Sequence, residues 1–202
     1  MPTITRMCRQ GLKGLLGSML VAGASVAWAV PIQYVYTGTA TGSVDGTPFA
    51  EAAFTVLADA DTDHVTTWFA GTLQNTHASA TLTLAGFGAG SFTRASQTWI
   101  DENCCMGLGE NFSINWLNLP SSALTGIGWN MRTAIGPVLD PGASTQGQFV
   151  NVGTSFGRVT FDAVSDVTFQ AVLVPEPASV VLMLVGLAGL AGQAGLGRRR
   201  PD

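Results

Sequence analysis

Charge is what this sequence has least of. Asp, Glu, Lys and Arg make up 11% of its 202 residues, against roughly 25% in ordinary soluble proteins. Basic residues are nearly missing from the middle: Arg6, Arg9 and Lys13 sit near one end, Arg198, Arg199 and Arg200 near the other, and only Arg94, Arg132 and Arg158 lie between. Residues 30–174 therefore set three arginines against eleven acids, a net charge of −8. Such a surface repels phosphate backbones, so no nucleic-acid partner is expected, and the basic ends do not belong to one binding patch. Metal-ligating residues are also few, with two histidines and three cysteines in the whole chain. That leaves little material for a zinc or iron–sulfur centre.

A long 3.6-residue apolar period is absent between the ends as well, which argues against a helical domain. What is present is short alternation broken by Gly, Asn, Asp and Pro, the pattern of half-buried strands. Candidate strands are Ile32 to Ala40, Phe49 to Leu57, Val65 to Ala70, Ala80 to Ala85, Phe112 to Leu117, Gln148 to Val152, Arg158 to Asp162 and Val167 to Leu173. Seven to nine strands at this spacing predict an all-β fold, a single jelly-roll-like β-sandwich over residues 30–174.

Residues 1–29 have the order of a secretory signal peptide: a basic start through Lys13, an apolar stretch from Leu15 to Val26, then Ala27 and Ala29 flanking Trp28. Cleavage is expected after Ala29. At the other end, 178–196 is 19 residues without a charge. As a helix rising ~1.5 Å per residue it nearly matches a hydrocarbon core of about 30 Å. Pro175 and Pro177 forbid regular helix just upstream. Arg198, Arg199 and Arg200 are expected to stay cytoplasmic, which puts residues 30–174 on the outer side of the membrane.

The run Val174-Pro175-Glu176-Pro177-Ala178-Ser179, the apolar span and the arginine cluster resemble, in that order, the PEP-CTERM sorting signal of Gram-negative bacteria. The resemblance covers about the last 29 residues, with the sorting signal itself at 175–202, and implies a partner, the membrane-embedded cysteine transpeptidase exosortase. By the same likeness Pro175, Glu176 and Pro177 are the recognised motif, 178–196 is the retention helix, and Arg198 to Arg200 are the cytoplasmic stop. It implies a membrane-anchored precursor, then release or attachment at the cell surface, often in bacteria that make exopolysaccharide. Pro201 and Asp202 after the arginines depart from the usual ending. Two prolines around one acid also have a physical use, since they hold the backbone extended and accessible to a processing enzyme.

Four features of the central region invite a chemical reading. Gly153-Thr154-Ser155-Phe156-Gly157 has the letters of a nucleophile elbow, but Arg158-Val159-Thr160-Phe161 reads as a strand rather than a helix, and His64 and His77 both precede Ser155. A hairpin turn is expected. Asp59, Asp61 and Asp63 alternate as a calcium loop begins, yet His64 stands where glycine would and Ala70 where the bidentate Glu would. A solvated turn or a calcium site completed by distant acids are the two readings. Cys104 and Cys105 are adjacent, with Cα atoms about 3.8 Å apart, below the usual disulfide range. They form either a vicinal disulfide or reduced or intermolecular thiols. Core or loop packing is the expected role of Trp68, Trp99, Trp116 and Trp129, and a sugar-stacking platform is the alternative, for which Trp99 is the candidate surface aromatic.

No catalytic residues and no cofactor are assigned, calcium being the one ion considered. The expectation is an exported, non-enzymatic surface or matrix protein that adheres to polysaccharide or to neighbouring proteins. A secreted glycan-active hydrolase is the alternative, to be recognised by Asp, Glu, His and Trp converging in one cleft.

Overall fold

The computed structural model describes residues 30–111, 113–120, 124 and 127–175. The predicted signal peptide with Ala27 and Ala29, the motif residues Glu176 and Pro177, the span 178–196 and Arg198 to Arg200 lie outside them. Among the described residues no helix is long and apolar enough to cross a membrane.

Among the described residues twelve strands build two antiparallel sheets: β1 (Pro31–Val44), β2 (Thr47–Asp61), β3 (Val65–Phe69), β4 (Thr72–Thr76), β5 (Ser79–Leu84), β6 (Gly88–Ser91), β7 (Gln97–Asp101), β8 (Cys105–Asn111), β9 (Ile114–Leu119), β10 (Ile135–Asp140), β11 (Val152–Thr154) and β12 (Gly157–Leu173). The larger sheet runs β10-β12-β1-β2-β5-β6, with β11 paired to β12. The smaller runs β3-β4-β7-β8-β9. A 3₁₀ turn, Thr62–His64, follows β2.

Alternation on β1 decides the layering. Ile32, Tyr34, Tyr36, Ala40 and Val44 are buried, and Phe54, Val56 and Ala58 on β2 and Phe169 and Ala171 on β12 join them. Ile100, Met106, Leu108, Leu117 and Leu119 of the smaller sheet meet this face in the same core. Removing so many apolar side chains from water is the main force holding the layers together. The β1–β2 hairpin closes through Asp45 and Gly46, both at positive φ, the conformation that tight hairpin turns require.

The chain's two tyrosines add polar bolts across the core. Tyr34 Oη donates to the Met131 carbonyl at 3.1 Å and accepts from Asn75 Nδ2 at 2.8 Å. Tyr36 Oη lies 2.8 Å from Thr98 Oγ1, which is 3.0 Å from His77 Nε2. The His77 Nδ1 side meets Ser96 Oγ at 2.9 Å. Burial raises the Tyr34 hydroxyl to about 12 and pushes Tyr36 further the same way. Burial also lowers His77 to about 3, so its ring is neutral in the fold.

Several expectations are corrected. Arg158 to Asp162 and Val167 to Leu173 are one strand, β12, because Val164 and Ser165 between them pair with Ala40 and Thr39 across a register shift instead of turning. The expected strand Gln148 to Val152 is mostly loop, and β11 begins where it was to end. β4, β6, β7, β8 and β10 were not expected, which raises the count from seven to nine to twelve. Trp99, the candidate surface aromatic of the platform alternative, is 3% exposed, in line with the packing role expected of it. It sits on β7, where Gln97 to Ile100 are all buried.

Candidate functional site: a polar groove beside the start of β12

The fold scatters most of the chemistry-bearing residues singled out above. Ser155 occupies the β11–β12 turn, and its Oγ accepts from the Ser91 N–H at 3.1 Å. His77 is locked in the core and His64 lies exposed in the 3₁₀ turn. Asp61 accepts from the Asp63 N–H at 2.8 Å, capping that turn. Asp59 projects from β2 and accepts from Gln33 Nε2 at 2.9 Å and Ser79 Oγ at 2.7 Å. Among the described residues no group of three His, Cys, Asp or Glu could hold a metal ion.

Cys104 and Cys105 are joined as a vicinal disulfide in the β7–β8 turn. That turn leans on the β3–β4 turn, with the Glu102 N–H donating to the Gly71 carbonyl at 2.9 Å. Asn103 N–H donates to the Asp101 carboxylate, and this backbone hydrogen bond first of all holds Asp101 below the usual carboxylate range. Trp116 and Trp129 are buried like Trp99, and Trp68 alone of the four is exposed. No platform of tryptophans exists among the described residues.

What the fold does bring together is a groove of about 520 Å³ beside the β8–β9 turn, lined by Thr93, Arg94, Glu110, Trp116, Asn151 and Arg158 among others. Its shape depends on two crossings. The Thr93 N–H donates to the Gly153 carbonyl at 2.9 Å, tying the β6–β7 link to β11. Asn115 N–H donates to Gln148 Oε1, tying β9 to the loop before β11. Beneath them Trp116 packs on Phe92 at 4.9 Å and on Phe149 at 6.0 Å between ring centroids, and Phe149 stacks on Phe161 at 4.2 Å. The floor is thus rigid and aromatic, the rim polar.

Arg94 Nη1 meets Glu110 Oε2 at 2.9 Å, an ion pair with 67% of the arginine side chain and 25% of the glutamate side chain exposed. Arg158 presents its backbone N–H to Asp45 Oδ1 at 2.9 Å. No hydrogen bond or ion pair engages its guanidinium among the described residues. In the sequence these arginines stand out only in a charge count. Their scarcity is the available signal; positions 94 and 158 come to line one groove through sheet topology, which spacing does not reveal.

Fold and site together define a two-sheet antiparallel β-sandwich that carries a polar surface groove over an aromatic floor. At its C-terminal end, residues 173–200 match the family described as PEP-CTERM protein-sorting motif, so the chain carries that sorting signal. The motif marks it as an exported protein sorted by exosortase, a membrane enzyme, through a membrane-anchored precursor. No curated protein and no solved structure gives a significant match. The match opens on Leu173, the last residue of β12, and Pro175 just beyond it is exposed.

Proposed function

We propose that the exported sandwich is a non-catalytic adhesive module that holds extracellular polysaccharide through the groove at the start of β12. The position of that groove carries the reading. β12 runs 17 residues from Gly157 to Leu173, so at ~3.3 Å per residue the sorting motif leaves up to about 50 Å from Arg158. A precursor held in the membrane by its C-terminal segment would present the groove outward, to whatever surrounds the cell.

The lining favours holding a sugar over cleaving one. Glycoside hydrolysis generally needs two carboxyl groups flanking the bond; the groove has one, Glu110, already paired with Arg94. The neutral imidazole that a hydrolase would want as a base is His77, and it is spent on Ser96 and Thr98 inside the core.

The test is to pass the exported protein over immobilised exopolysaccharide from the producing cells. Retention is expected, with no new reducing ends after prolonged incubation. Release of reducing ends would establish the hydrolase instead, and passage without retention would remove the adhesive role.

A further inference from the structure

We infer that the groove is specific for an acidic sugar, a uronate-type residue whose carboxylate is taken by Arg158 in a groove that Arg94 also lines. This rests on the adhesive reading above and narrows it to a ligand class.

The charge distribution is the first ground. Residues 30–174 hold three arginines against eleven acids, yet two of those three arginines line one cavity with a single carboxylate. The groove is a cationic island on a domain that otherwise repels anions, and an island of that kind concentrates an anionic ligand at one place.

The second ground is how the two cations are held. Glu110 braces the Arg94 guanidinium and neutralises it. Arg158 has no such brace: its strand is pinned by Asp45 and by pairing with Gly153, but its five N–H donors have no protein acceptor among the described residues. A guanidinium in that state offers the fork geometry that a carboxylate fills with two parallel hydrogen bonds.

The rest of the lining suits a pyranose more than a bare ion. Gln148 uses its Oε1 on Asn115 N–H, leaving its amide hydrogens for hydroxyl groups, and Thr93 and Asn151 add further donors and acceptors. Ile114 and Val150 supply apolar surface for the sugar's C–H faces.

Calorimetric titration of the exported protein with three polymers tests this: alginate as the polyuronate, dextran as a neutral glycan, and polyglutamate as an anion that is not a sugar. Alginate is expected to bind, more weakly as salt rises, with Arg158→Gln lowering its affinity about tenfold at an unchanged melting temperature. Arg158→Lys should recover only part, since an ammonium lacks the fork. Three outcomes overturn the inference: dextran binding as well as alginate, polyglutamate binding as well as alginate, or Arg158→Gln binding alginate like the parent. Dextran binding alone would leave the adhesive reading standing while removing the acidic ligand; failure of all three polymers together with loss of retention on the native polysaccharide would remove both. Arg158 is exposed, so the variant is not expected to disturb folding.

Discussion

His77 shows how a single side chain ties this fold to pH. Burial lowers its folded-state value to about 3 from an ordinary 6.5. Between those values the unfolded chain binds a proton that the folded chain refuses, so stability is complete above about pH 6.5 and declines as pH falls toward 3. The steepest loss is about 1.4 kcal/mol per pH unit. The melting temperature should therefore fall by a few degrees per unit from pH 6.5 to 4.5, above the range where most carboxylates titrate. His77→Gln, which keeps a polar group but cannot take the proton, should start lower and stay flat across that interval. Thermal melts at four pH values distinguish the two curves.

Among the elements, β1 and β12 are the most constrained. β1 lies between β2 and β12, and at Gly42 its register shifts against both neighbours. A Cβ built there would run into the Thr160 carbonyl of β12. Gly42→Ala should cost about 2–3 kcal/mol, because neither flanking strand can retreat without losing its own ladder; chemical denaturation would measure it. This position also explains what the sequence could reveal. β1, β2 and β5 were legible because one of their faces is wet, so polar and apolar residues alternate. β7 is buried on both faces and β6 reads Gly-Ala-Gly-Ser, so neither alternates. In β8, glycines 107 and 109 look like turn residues, yet they stand where a side chain would strike the Leu117 and Ile114 carbonyls of β9. The groove was illegible for a related reason: Arg94 lies in the β6–β7 link and Arg158 on β12, and they line one groove only once β11 has been laid against that link.

At the scale of the whole molecule, the described chain enters β1 and leaves β12 at the same end of two adjacent strands. The Val30 N–H reaches Thr62 Oγ1 at 3.1 Å, and the Val174 N–H donates to the Pro31 carbonyl at 2.9 Å. The expected exported form begins at Val30 and has lost the arginine cluster beyond the sorting motif. Intact-mass measurement of the protein collected outside the cell checks both ends at once, and a mass that still included residues 1–29 would contradict the secretory reading. The pairing of β1 with β12 sets a schedule for export. Ile32 faces Leu173, a partner made about 140 residues later, and Leu173 is also where the sorting motif opens. A chain threaded across the membrane from its first residue keeps β1 waiting until nearly everything else has emerged. The stretch that completes the sheet is followed at once by the stretch that exosortase sorts. Completion and sorting coincide, so a copy cut short before β12 lacks both the closing strand and the signal that exosortase sorts.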